Sequence, residues 1–405
     1  MDNIKNITHK INPMEIVAVL WITTFITMLG IGLIAPLMSI YAQNLGASNF
    51  EIGLIFGSFA IARTISQIPI GSLSDKYGKK IFILIGTFFC GVFTLMYAFV
   101  GSVIELLFVR IFNGAFSSFI TPVAGAYVAT IAPKEKLGEY MGIFGSAIGI
   151  GFSMGPLIGG FLAEWYGIKT PFYFCGILAF LAFLVSYFKL KNIVVDKDGK
   201  YEYISNCIVK GRNSNKKLIS FEFLKNKYFL ISYIINTSYM AITAGIMCYL
   251  AVYASNYNIG VSYVGFLIAS TNLVMGVLQR KFGKIYDRLG SPVIYIGLII
   301  GALGVYGLSI SHSFISMFIS LIIMSLGGAM YVPAINALSM KDIPHHKKGG
   351  AMGFFTTSLN IGMFIGAVVL GFIADYVGLS NMYKFSAMIS FIVCVGAYIA
   401  MRGKN

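Results

Sequence analysis

The chain has 405 residues, 57% of them hydrophobic and only 11% charged, with a mean hydropathy of +0.81. Soluble domains carry about 25% charged residues, so this composition excludes a soluble globular protein and defines a polytopic membrane protein. The net charge of +15 does not make it a nucleic-acid binder. All but four of the thirty Lys and Arg fall in the tails and alternate loops of one side of the apolar runs, and charge divided among short loops forms no continuous patch.

Met1 to Met14 is polar and weakly basic and lacks the small-residue cleavage site of a signal peptide, so the first apolar run is expected to stay as an anchor. A span needs about 20 apolar residues. Twelve such runs follow, with limits near 13–43, 50–74, 80–100, 104–131, 138–163 and 170–189, then 226–254, 261–283, 291–310, 313–340, 348–375 and 381–401. The expected organisation is a tail over 1–12, a six-helix bundle over 13–189, a linker over 190–225, a second six-helix bundle over 226–401 and a tail over 402–405. Positive charge marks the side that bears both tails and the linker as cytoplasmic. The linker is the only long polar segment, and its basic residues also suit docking or contact with lipid headgroups. Cys90, Cys175, Cys207, Cys248 and Cys394 include no C-x-x-C and read as small apolar side chains, with no metal site, disulfide frame or cofactor implied.

Gly71-Ser72-Leu73-Ser74-Asp75-Lys76-Tyr77-Gly78-Lys79-Lys80 joins the second and third runs, and a degraded copy, Gly283-Lys284-Ile285-Tyr286-Asp287-Arg288-Leu289-Gly290, lies 212 positions later. Gly53 and Gln67 pair with Gly265 and Gln279 at the same offset. Gly151, Gly155, Gly160, Phe161, Ala163, Glu164 and Gly167 pair with Gly362, Gly366, Gly371, Phe372, Ala374, Asp375 and Gly378 at an offset of 211. One ancestral bundle has been duplicated in parallel. With this loop between its second and third spans, the chain resembles the major facilitator superfamily, whose fold is all-α: twelve transmembrane helices in two pseudo-symmetric six-helix bundles.

That resemblance implies a transporter with its substrate site between the halves. It also implies that Asp75 sits against the N-terminus of the eleventh span near Gly349 and Gly350, and Asp287 against the fifth span near Gly138. There, free backbone N–H groups favour an anion by about 0.3–1 kcal/mol. Gly71, Asp75, Gly78, Lys79, Lys80, Asp287 and Arg288 would then form a cytoplasmic gate that stabilises the outward-facing state, although the lysines also suit a purely topological role.

In the fifth span, Gly151, Gly155 and Gly159 share a helix face, Pro156 removes a backbone hydrogen bond, and Gly160 follows. Gly-x-x-x-Gly-Pro-x-x-Gly-Gly here resembles the signature of the twelve-span drug:proton antiporters, as does Gly30-Ile31-Gly32-Leu33-Ile34-Ala35-Pro36 in the first span, and favours export. Only one half carries it in full, since Ala367 stands where a second proline would be.

Two arginines lie within spans, where a charge is costly and signals function. Arg110 opens an Arg-x-x-x-Gly element that the family associates with proton coupling. Arg63 lies about 20 Å into the second span at 1.5 Å per residue, and suits either an anionic substrate group or a structural partner; Met275 takes the matching place in the second half. No acid lies mid-membrane, and Glu105 is the nearest to Arg110. Asn113 and Asn236 with Tyr239 stand where family cavities are found, although most polar residues in a bundle are interhelical glue.

The leading reading is a secondary active, rocker-switch transporter in the cell membrane that exports small amphiphilic compounds, coupled to protons and monomeric. The alternative is an uptake or exchange carrier for an organic anion or metabolite. A membrane-embedded enzyme would need clustered His, Asp or Glu at the membrane face, and the acids are scattered.

Overall fold

A computed structural model describes residues 13–132, 137–190, 193–195, 201–203, 226–339, 341 and 354–402. Its helices are α1 (Pro13–Asn44), α2 (Asn49–Tyr77), α3 (Lys79–Met96), α4 (Val103–Ser117), α5 (Thr121–Ile131), α6 (Leu137–Tyr166), α7 (Thr170–Lys189), α8 (Lys227–Ser255), α9 (Val261–Leu289), α10 (Pro292–Ser309), α11 (Phe314–Ser339) and α12 (Thr357–Arg402). One departure from one helix per span has a local cause. The fourth span breaks between α4 and α5, where Ser118, Phe119 and Ile120 turn and Pro122 starts the new helix. The eleventh and twelfth spans, both within α12, are separate helical stretches that meet at a kink at Gly378, whose φ of 80° only glycine adopts freely. Within the linker, Ile193–Val195 pairs antiparallel with Tyr201–Tyr203 in a two-stranded hairpin that the polar sequence did not announce.

The two halves repeat each other in atomic detail. The Tyr41 hydroxyl at the end of α1 donates to the Tyr97 and Val100 carbonyls at 2.8 and 3.1 Å, and Tyr253 at the end of α8 donates to those of Ser311 and Ser309 at 2.9 and 3.4 Å. Gly151, Gly155 and Gly159 of α6 lie against the backbone of α1 at Phe25, Leu29 and Leu33, leaving no space for a Cβ. In the second half Gly362 and Gly366 of α12 take up Thr237 and Ala241 of α8 in the same way. Where lipid surrounds the bundle, such close backbone approach is what holds helices together, because burial of apolar surface gives little advantage over lipid. Pro156 leaves the Phe152 carbonyl without its helical donor, and Gly32 of α1 packs against that carbonyl.

Candidate functional site

The halves meet through α2 with α12 and α6 with α9. At the end distant from the lysine-rich loops, Gly53 abuts the Ala367 carbonyl, Gly371 the Asn49 carbonyl, Gly160 the Val261 carbonyl and Gly265 the Pro156 carbonyl. Two carboxylates complete this closed end. Asp375 of α12 accepts from the backbone N–H groups of Asn49 and Phe50 at 3.0 and 2.9 Å and from Asn49 Nδ2 at 2.8 Å, capping α2. Glu164 of α6 accepts from the Ser262 N–H at 2.8 Å, capping α9. Each satisfies donors that a helix N-terminus leaves free. The Tyr249 hydroxyl adds a third tie, lying 2.6 Å from the Ala367 carbonyl and 2.9 Å from that of Asn49.

Toward the lysine-rich end the same helix faces are bare. At 100° per residue, Gly71 repeats the direction of Gly53, Gly145 that of Pro156 and Gly276 that of Gly265. Among the described residues, nothing outside its own stretch of helix lies within 4 Å of a Cβ built on Gly71, Gly145 or Gly276. Among the described residues the halves therefore touch at one end and part at the other, leaving an opening on the side of the lysine-rich loops.

The residues expected to form a gate lie at the lysine-rich end. Gly78 makes the turn between α2 and α3 with φ 96°, and Gly290 ends α9 with φ 69°. Gly71, expected to serve a turn or close approach, is helical and faces the opening. Lys80 donates to the Tyr187 carbonyl at 2.9 Å, and Lys79 opens α3. Asp287 and Arg288 are exposed at the end of α9, with no cross-half hydrogen bond among the described residues. The Asp75 side chain, Gly349 and Gly350 lie outside what the structure describes.

Arg110 is buried, with its guanidinium 4.4 Å from the Phe59 ring centroid and 5.4 Å from that of Phe56. Its Nη1 reaches the Tyr97 hydroxyl at 3.5 Å and its Nε has no partner. Stacking on aromatic faces is worth about 0.5–2 kcal/mol, which offsets only part of the cost of a buried cation. Glu105 does not face it: that carboxylate accepts from the Gly101 N–H at 2.9 Å and serves the start of α4. Asn113 ties α4 to α3, donating to Thr94 Oγ1 at 3.2 Å and the Cys90 carbonyl at 3.4 Å. Asn236 ties α8 to α12 through Ser358 Oγ at 2.7 Å. Both asparagines are helix-to-helix ties; Asn113 also lines a cavity of the first half with Arg110, and Tyr239 lines one of the second half and approaches Met275 Sδ at 3.3 Å. Sequence reasoning passed over the caps made by Glu164 and Asp375. Their signal was present, since the two acids occupy equivalent positions of the repeat.

Two matched helical bundles, closed at one end and parted at the other, with charge placed at membrane depth, define a multi-pass transporter that handles a small molecule. The chain belongs to the Major Facilitator Superfamily, whose family model matches residues 20–294 and 249–404. It is 58% identical over 383 residues to an uncharacterized MFS-type transporter of Methanocaldococcus jannaschii, covering 95% of this chain and 97% of the relative. It is 27% identical over 387 residues to Multidrug resistance protein 2 of Bacillus subtilis, covering 94% and 93% of the two chains. Quinolone resistance protein NorA of Staphylococcus aureus is 26% identical over 366 residues, covering 88% and 89%. Among solved structures, the nucleoside transporter NupG superposes with a TM-score of 0.80 at 16% identity, covering 96% of this chain and 100% of that one. A bacterial homologue of the lysosomal transporter Spinster, in an inward-facing and occupied conformation, does so with a TM-score of 0.78 at 14% identity, covering 97% and 96%. These likenesses describe a transporter rather than an enzyme.

Proposed function

We propose that the protein exports small amphiphilic compounds across the cell membrane by rocking its two bundles about a central site, driven by protons. The observation that carries this reading is the mismatch between the two ends: among the described residues, the same faces of α2, α6 and α9 are packed at one end and bare at the other. With the lysine-rich end cytoplasmic by the positive-inside rule, both termini are cytoplasmic and this arrangement is open inward. The ties of Asp375, Glu164 and Tyr249 then form the external gate, and the loops at Asp75 and Asp287 are the internal gate that closes when the external one opens. Export is supported by the antiporter-like glycine motif of α6, seated on α1, and by relatives named for multidrug and quinolone resistance.

Arg110 is the group assigned to coupling, because a buried guanidinium with a free Nε and one long contact to Tyr97 is poised to respond to charge nearby. The chain works as a monomer on this reading. The test is flux in sealed vesicles under an imposed pH gradient. Amphiphile movement should follow the gradient, collapse with a protonophore and lose its gradient dependence in Arg110→Ala. Movement indifferent to the gradient would refute the coupling, and net uptake against a substrate gradient would reverse the direction.

A further inference from the structure

Arg63 projects from α2 fourteen residues after Asn49, about 21 Å along the helix. It lies 80° around α2 from the Gly53 and Gly71 line, on the side of the buried Phe56 and Phe59 and away from the lipid-facing Ile61 and Ile65. It is half-buried, near Cys90 of α3, and among the described residues no hydrogen bond, ion pair or ring contact of its guanidinium is found. No carboxylate lies in the interior of any span, so Arg63 and Arg110 together leave the centre of the protein positively charged.

The equivalent position of the second half, 212 residues on, is Met275. It lies fourteen residues after Val261, hence at the same depth, and lines a cavity with Tyr239, Thr243, Asn272, Met247 and Met324. Within this cavity Thr243 Oγ1 lies beside the Tyr239 hydroxyl, and Asn272 Nδ2 is buried with no hydrogen-bond partner among the described residues. Buried polar atoms are nearly always paired, so an unpaired amide lining a cavity marks a place for a ligand. Arg63 holds on the first half the repeat position that, in the second half, borders this thioether-rich, apolar cavity.

We infer that the substrate is an amphiphilic anion, its carboxylate or other acidic group met by Arg63 and its apolar, hydrogen-bonding body received by the cavity around Met275, Thr243 and Asn272. This rests on the transporter reading, and fixes the charge of the substrate. A guanidinium suits a carboxylate through paired, charge-assisted hydrogen bonds. Methionine and tyrosine side chains adapt to varied apolar bodies.

The test uses three probes that share a 3-phenylpropyl body, 4-phenylbutyrate, its neutral amide and 3-phenylpropyltrimethylammonium, in binding to the purified full chain and in flux through sealed vesicles. The carboxylate should bind more tightly than either of the others. Arg63→Gln should weaken its binding about tenfold while leaving the amide unchanged, and Arg63→Lys should restore part of the difference. Asn272→Leu, which leaves the cationic wall intact, should weaken carboxylate and amide alike. Preference for the ammonium probe, indifference to Arg63, or binding of none of the three would overturn the inference. Arg63-dependent binding of the carboxylate with no flux would leave it standing and refute transport.

Discussion

Replacing Asp375 by Asn together with Glu164 by Gln removes the charge from both caps at the closed end while preserving side-chain size. Asp375 loses its role as a charged acceptor for three donors of the opposite half at 2.8–3.0 Å, and Glu164 for one at 2.8 Å. Hydrogen bonds to charged groups contribute about 1.5–3 kcal/mol, and an anion at a helix N-terminus about 0.3–1 kcal/mol. Each amide keeps one acceptor oxygen, so a fraction of this survives. We take about 2 kcal/mol for Asp375 and about 1 kcal/mol for Glu164 as the loss. These residues join opposite halves, so the loss falls on the state that is closed here and spares the one that is closed at the other end. At 1.4 kcal/mol per tenfold, about 3 kcal/mol shifts the ratio of the two states roughly a hundredfold toward opening of this end. Spin labels at Phe99 and Lys384, exposed at this end of the first and second halves, report the separation in a cysteine-free background. The double variant should populate a longer distance that the parent lacks. An unchanged distance distribution would refute the claim that these carboxylates hold the halves together.

Three further outcomes follow from the same geometry. Asp75→Asn should insert normally yet slow transport several-fold by weakening closure of the lysine-rich end, and unchanged initial rates of flux would count against the gate. Gly155→Ala and Gly366→Ala place a Cβ against the backbone of Leu29 and Ala241 respectively; overpacking of this kind costs about 1–3 kcal/mol, so the thermal midpoint of the purified protein should fall. Gly145→Leu and Gly276→Leu meet open space here, so they should leave that midpoint unchanged while lowering turnover, since the side chains obstruct approach of α6 and α9 at this end. Equal midpoints for all four variants would contradict the assignment of packed and open faces.

The fold was legible because membrane insertion writes it in long apolar runs, and duplication writes it again at offsets of 212 and 211. The paired hydrogen bonds of Tyr41 and Tyr253 are the same repeat seen in atoms. The break at Ser118 to Ile120 escaped notice because its residues are as apolar as the helices beside it, apart from one serine. The gap expected between residues 375 and 381 holds the kink at Gly378, where the chain leaves helical geometry. The site was only partly legible, for a physical reason. A helix that meets lipid on one side and protein on the other is apolar all round, so the sequence does not reveal which way Asn113, Asn236 or Tyr239 turns. Arg63 and Arg110 stood out because charge at membrane depth is rare. What sequence could not show was that the Arg110 guanidinium stacks on the rings of Phe56 and Phe59.

The account turns on the two bundles closing at the end that is open here. Gly145 of α6 and Gly276 of α9 stand at matching levels on the bare faces, so a Gly145→Cys, Gly276→Cys pair in a cysteine-free background reports that closure. A disulfide should form under mild oxidation as the protein cycles, abolish flux, and release it again on reduction. A pair that never crosslinks in an actively transporting protein, or that crosslinks without stopping flux, would contradict the rocking of the two halves.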